Sequence, residues 1–248
     1  MATYQTATTS HIEVNGISYA YRKLGKLQSH GVPLLMLHHF RAPMDFWDPL
    51  LINLFAQRRQ VILFDNAGVG KSTGDIPDSI LSMANHAYIF LDALKVSRID
   101  VYGFSMGGMI AQQLALDHPE IIRKLVLTGT GPGKGPDGQP DILNFNAARA
   151  LEIATKETSS FEDMYKLFFF PSDTSKAAAE KWWKRVQERS PQTSGEERSD
   201  MVQGTGMRSQ GTALTKWSGG EGLISQRFLR YKCNILTLAL RRSIPSVE

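Results

Sequence analysis

Three glycines frame one hydroxyl in the stretch Gly103-Phe104-Ser105-Met106-Gly107-Gly108. The spacing is Gly-x-Ser-x-Gly, a pattern that suits a nucleophilic serine on a sharp strand-to-helix turn. A side chain two residues to either side of the serine would hold strand and helix apart, and the turn needs a strained backbone at the serine itself. The hydroxyl then stands at the positive end of a helix. The backbone N–H of Met106 points to where an oxyanion forms during acyl transfer. By composition alone the pattern arises in about one chain in ten of this length, and in a plain Gly-rich turn it carries no chemistry. Here an apolar β-branched run, Ile99 to Tyr102, precedes it, and Met109, Ile110, Ala111, Leu114 and Ala115 follow at helical spacing.

A second polar group of interest is His38-His39-Phe40-Arg41, which closes the apolar run Val32 to Leu37. In a serine hydrolase a loop at this place donates a second backbone N–H to the oxyanion, and that of Phe40 is the candidate. His39, Phe40 and Arg41 are the candidate substrate-binding residues. Adjacent histidines in an extended segment point to opposite sides, and no carboxylate–histidine cluster accompanies them, so a metal site is not expected. Asn66-Ala67-Gly68-Val69-Gly70-Lys71-Ser72 has the flavour of a phosphate-binding loop, but Asp65 stands where its first glycine is required. A tight turn with Asp65 and Ser72 holding its backbone is the better reading.

The elements that must position these residues alternate. Residues 8–24 read as a β-hairpin around Asn15-Gly16, with a type I′ turn. Strands follow at Val32 to Leu37, Val61 to Phe64, Ile99 to Gly103 and Lys124 to Thr128. Between them lie a helix opening at Phe46, with Leu50, Leu51, Leu54 and Phe55 on one stripe, a helix over Asp78 to Leu94, and the helix after Ser105. Strand, helix, strand is the pattern of a parallel sheet covered on both faces. After the loop Gly131 to Gly138 the pattern is helical only: Ile142 to Lys156, Phe161 to Phe170, Ser175 to Gln187 and Glu196 to Trp217. Such an insertion reads as a cap over the carboxyl edge of the sheet, where open α/β sheets bind ligands. Its Phe168-Phe169-Phe170 and Trp182-Trp183 pack the cap, with one or two left to line a pocket.

Composition narrows the function classes. The 248 residues carry 42% hydrophobic and 21% charged side chains, ordinary for a globular chain. The net charge of +4 comes from the tail beyond residue 225, where Arg227, Arg230, Lys232, Arg241 and Arg242 face only Glu248. No basic face covers the fold, which argues against a nucleic-acid partner, and no apolar run reaches a membrane span. One cysteine, Cys233, excludes an internal disulfide and fits a reducing, cytoplasmic compartment. No metal or organic cofactor is indicated.

In sum the sequence resembles the α/β-hydrolase superfamily. The matching pieces are His38-His39-Phe40-Arg41 with Trp47-Asp48-Pro49, the stretch Asp65 to Ser72, Gly103 to Gly108, and His118-Pro119-Glu120 before Leu125 to Pro132. The resemblance implies an α/β fold, a mostly parallel sheet flanked by helices, with core residues 1–135, helical cap 136–225 and a basic remnant of the core at 226–248. It implies Ser105 as nucleophile, the N–H groups of Met106 and Phe40 as oxyanion hole, and a small-molecule substrate held between sheet and cap.

The family order is Ser, then acid, then His. Of six histidines only His118 follows Ser105, thirteen residues on. That is about 20 Å along one helix, too far for a base. The family continues after its cap with two strands, the first followed by the acid and the second by the histidine. Tyr231 to Leu240 reads as the first, and Arg241 to Glu248 brings neither Gly-x-x-Asp nor histidine. Asp137 and Asp141, after an earlier strand, are the remaining acid candidates. The expectation is an altered or truncated C-terminus, incomplete terminal strands, weak or absent turnover, and self-association through an exposed sheet edge. Three activities stay open: hydrolysis of small esters, lactones or related acyl compounds; ligand binding without catalysis; and cofactor-free, non-hydrolytic chemistry.

Overall fold

The computed structural model describes residues 2–27, 31–133, 152–220 and 234–238. The hairpin consists of β1 (Ser10–Val14) and β2 (Ile17–Leu24), paired in register from Val14 opposite Ile17. Asn15 and Gly16 adopt φ of 52° and 76°, the two left-handed residues that a type I′ turn requires. In β3 (Leu34–Leu37) and β4 (Val61–Phe64) every residue is buried. Leu35, Leu37, Ile62 and Phe64 face one core, whereas Leu34, Met36, Val61 and Leu63 face the other. Alternation with both sides apolar makes these strands read as unbroken runs, and each leucine so buried contributes about 2 kcal/mol.

The seven strands run in the order β1-β2-β4-β3-β5-β6-β7, with β5 at Ile99–Phe104, β6 at Ile122–Thr128 and β7 at Asn234–Leu238. β1, β2 and β4 pair antiparallel, and all pairs from β4 onward are parallel. β7 lies within the stretch read as a post-cap strand and forms the sheet edge, with Leu236 56% exposed. Chain order reverses at β3, which lies between β4 and β5. The carboxyl edge beside such a reversal is where open α/β sheets bind ligands.

α2 (Ile80–Ala93) and α3 (Met106–Asp117) cover one face. Ser79 starts α2 by accepting the Ser82 N–H, and Ile80, Met83, Ala84, Ala87 and Leu91 are buried as the spacing predicts. α1 (Pro49–Ala56) covers the other face, and here the predicted stripe is corrected. Its buried residues are Pro49, Ile52 and Ala56, while Leu50 and Leu54 are half exposed. Six apolar side chains in eight residues leave the phase of so short a helix undefined by sequence. Asp48 and Pro49 set its start, because the Asp48 carboxylate accepts the Leu50 N–H.

Between β6 and β7 the cap supplies α4 (Phe161–Phe168), α5 (Asp173–Arg185), α6 (Pro191–Ser194) and α7 (Gly204–Ser218). Ser160 and Asp163 close a capping box at the start of α4. The helix expected from Glu196 begins only at Gly204. Residues 196–203 bond to the core instead: Glu196 accepts from Thr9 and Lys71, Ser199 N–H donates to Asp45, and Val202 N–H donates to the Arg41 carbonyl. Backbone donors committed to distant acceptors cannot build a helix, and periodicity does not register such partners. A buried ionic cluster secures this strap, with Arg22 2.6 Å and Arg189 3.4 Å from Asp45, and Arg189 3.1 Å from Glu196. Asp137, Asp141, Cys233, the basic tail and most of the helix expected over 142–156 lie outside the described residues; residues 152–154 of that stretch are helical.

Candidate active site

Ser105 is the turn residue between β5 and α3, with φ 54° and ψ −120°. That conformation is strained for a side-chain-bearing residue. It is maintained from both sides, since the Ser105 N–H donates to the Thr128 carbonyl at 2.9 Å and its own carbonyl accepts from Gly108 at 2.8 Å. The framing glycines are required by close approach. A Cβ on Gly103 would lie 2.5 Å from the Gly108 Cα, and one on Gly107 would lie 2.6 Å from the His38 carbonyl oxygen. The second contact also brings the loop after β3 against the serine turn.

Met106 N–H opens α3, and Phe40 N–H lies in the neighbouring loop. Among the described residues neither donates to another protein acceptor. One of these donors adjoins the strained serine, and the other lies in the loop whose His38 carbonyl meets Gly107. The Ser105 hydroxyl itself makes no hydrogen bond with a described histidine. His118 caps the far end of α3, stacked 3.4 Å from the Tyr88 ring, and His86 bonds the Tyr19 hydroxyl at 2.6 Å.

The adjacent histidines do not diverge as an extended segment would dictate: their rings lie 4.4 Å apart, edge to face. β3 ends at Leu37, and the chain turns as His39 N–H donates to His38 Nδ1 at 2.8 Å. His38 then stacks on Trp47, while His39 packs on Phe104 of β5 and Phe168 of the cap. His39 Nδ1 bonds the Phe40 carbonyl at 2.8 Å, so Nδ1 carries the proton and Nε2 is left as an acceptor. Burial holds both rings neutral, His39 at about 4 and His38 well below its ordinary value.

A cavity of about 30 Å³ lies at the carboxyl ends of β3 and β4. His38, His39, Asn66 and Gln210 are its polar lining, and residues such as Phe64, Met83, Met106 and Ile110 make the rest apolar. Among the described residues no lysine, arginine or carboxylate lines it. Gln210, on α7, had no sequence signal, since it sits in a polar stretch without a motif. Arg41 is not part of the lining. Its guanidinium is committed to carbonyls of the cap, a different role from the substrate contact expected of it. The loop after β4 is held as expected: Asp65 accepts from the Met44 and Lys71 N–H groups, and Ser72 Oγ donates to the Asp65 carbonyl. Among the described residues no cluster of three His, Cys, Asp or Glu could hold a metal ion. No helix there is long and apolar enough to cross a membrane.

A family model described as alpha/beta hydrolase fold matches residues 32–201. A protein of Serratia proteamaculans named carbamate hydrolase RutD is 37% identical over 136 residues, 52% of this chain and 47% of its own length. A 2-hydroxymuconate semialdehyde hydrolase of Pseudomonas sp. strain CF600 is 38% identical over 141 residues, 55% of this chain and 46% of that protein. The chain thus spans just under half the length of these curated relatives. Among solved structures, an alpha/beta hydrolase fold protein from Chitinophaga pinensis superposes with a TM-score of 0.76 at 29% identity, covering 96% of this chain and 90% of that one. The enol-lactonase from Burkholderia xenovorans LB400 shares the fold, with a TM-score of 0.62 at 18% identity, covering 93% of this chain and 80% of that one.

Proposed function

The chain belongs to the alpha/beta hydrolase fold family, and from that premise we propose that it is a serine hydrolase of small, uncharged ester, lactone or related acyl substrates. The observation that carries this reading is Ser105 in its strained turn at the start of α3, next to the free Met106 N–H, with the loop that carries the Phe40 N–H packed against the same turn through His38 and Gly107. Ser105 Oγ attacks the carbonyl carbon, and the carbonyl π pair moves onto oxygen. The two backbone N–H groups stabilise that oxyanion. The serine proton passes to solvent water, collapse expels the alkoxide or its equivalent, which takes a proton from that water, and a further water molecule adds to the acyl carbon and frees Ser105 and the acid. The neutral, largely apolar cavity suits a small acyl group and disfavours a carboxylate or phosphate.

Attack requires a base for the serine proton, and no described histidine bonds Ser105 Oγ. An oxyanion hole and binding without a base retain about 10³–10⁴-fold acceleration over water, and the described residues by themselves account for turnover of that order. The test is labelling with a fluorophosphonate, read by intact mass, with Ser105→Ala as control. Stoichiometric labelling lost in the variant supports the assignment. A folded chain that takes no label overturns it. A serine hydroxyl with no partner among the described residues also favours a second reading, a protein that binds a small neutral ligand under the cap without turnover. That reading predicts ligand affinity unchanged by Ser105→Ala.

A further inference from the structure

Arg41 follows the oxyanion candidate Phe40 directly and is buried. Its backbone sits at φ 69°, which side-chain-bearing residues avoid unless the surroundings impose it. Those surroundings include the cap. Nε donates to the Val202 carbonyl at 2.6 Å, Nη1 to those of Ala154 and Lys156 at 2.8 and 2.5 Å, and Nη2 to that of Glu157 at 2.8 Å. The backbone joins in, since Arg41 N–H donates to Gln210 Oε1 at 2.7 Å and its carbonyl accepts from Val202 N–H at 2.9 Å. Six hydrogen bonds thus reach three separate stretches of the cap. Among the described residues Arg41 forms no ion pair. The carbonyls of 154–157 follow the helical residues 152–154, and orphaned carbonyls at a helix end favour a cation.

The other side of the loop is held by few bonds. Ala42 N–H donates to the His39 carbonyl, and His39 bonds the Phe40 carbonyl through Nδ1. The first closes a turn over residues 39–42 with Arg41 at its third position, where a positive φ is the type II form, and the second holds the peptide between Phe40 and Arg41. The cap contacts add to these two: with them gone the turn can relax to the type I form by rotation of the Phe40–Arg41 peptide, which releases the Phe40 carbonyl from His39 and loosens the residue that carries the Phe40 N–H. We propose that Arg41 is a positioning residue that makes the second oxyanion donor conditional on a docked cap: the loop holds Phe40 N–H toward Ser105 only while the guanidinium grips the cap carbonyls. The proposal rests on the serine-hydrolase reading for its catalytic consequence, and its structural half stands independently of that reading.

The experiment compares wild type, Arg41→Lys and Arg41→Ala. Lysine keeps the charge but loses the fork that serves four carbonyls, which makes it the milder variant should alanine fail to fold. Amide hydrogen exchange reports the coupling. Exchange is expected to rise together in residues 38–42 and in 154–157 and 202–210, with β5 unchanged. Fluorophosphonate inactivation reports the consequence. Its maximal rate is expected to fall about 10²-fold, the effect of losing one oxyanion donor, with the half-saturating probe concentration unchanged. A cap that loosens while residues 38–42 keep their protection and Ser105 its rate would make Arg41 a structural staple only and overturn the proposal. If wild-type Ser105 takes no label, the hydrolase reading fails, and hydrogen exchange alone still decides whether loop and cap open together.

Discussion

Gly107 and His38 approach so closely that a methyl group on the glycine would lie 2.6 Å from the histidine carbonyl oxygen. The Leu37 carbonyl closes over the same point. Both obstacles are backbone at the end of a buried strand, so neither can swing aside. Gly107→Ala is therefore expected to lower stability by about 2–3 kcal/mol. Urea denaturation would show it, together with slower labelling of Ser105, because the displaced strand end carries the loop that holds Phe40.

The turn that presents Ser105 stores strain of about 1–3 kcal/mol. Ser105→Gly removes the hydroxyl and also the penalty at φ 54°. Glycine gives back about 0.5–1 kcal/mol through its freer unfolded chain. The variant is expected to be more stable than wild type by about 1 kcal/mol and to take no label. A destabilised variant would mean that the turn is relaxed and that its geometry serves packing rather than chemistry.

Much of this site was legible in sequence because its signals are local. Asn15-Gly16 fixes a hairpin, and Gly103 and Ser105 fix the serine turn through contacts within a few residues, whereas Gly107 makes room for the distant end of β3. The runs at 34–37 and 61–64 announce strands buried on both faces. The illegible parts depend on partners far apart in the chain. Residues 196–203 have helical spacing, yet bonds to Thr9, Asp45 and Arg41 keep them extended. The phase of α1 is hidden because nearly every side chain in it is apolar. Arg41 reads as a ligand contact, since nothing near it in sequence shows the carbonyls that take up its donors.

Asp45 anchors the strap that crosses from core to cap. Its carboxylate is 2.6 Å from Arg22 and 3.4 Å from Arg189, and it accepts the Ser199 N–H at 2.9 Å. All three ionic side chains are fully buried. Asp45→Ala would leave two buried guanidinium groups sharing only Glu196. Breaking a buried pair from one side costs about 3–5 kcal/mol, because the remaining charge is stranded without solvent. Asp45→Asn, which keeps an acceptor for Ser199, is expected to lose less. Thermal denaturation of both variants checks the ranking, and equal losses would show that the charge itself contributes nothing.

Asp65 gives this fold an unusual pH dependence. Burial raises its pKa to about 7, against two backbone N–H groups that pull it down. A carboxyl raised in the folded state contributes stability that is fully present below its unfolded value near 4 and lost as pH rises through 7. The buried histidines act in the opposite direction. Their pKa values are depressed, so their contribution is present above about 6.5 and lost as pH falls, for His39 through about 4. The two effects overlap between pH 4 and 7, so the wild-type profile alone does not separate them. Asp65→Asn does: the stability difference, variant minus wild type, is expected to grow in the variant's favour from pH 4 to 7 and then level off. Denaturant titrations at intervals across that range read it directly. A difference independent of pH would mean that Asp65 is ionised in the folded protein, with its hydrogen bonds to Met44 and Lys71 outweighing the cost of burial.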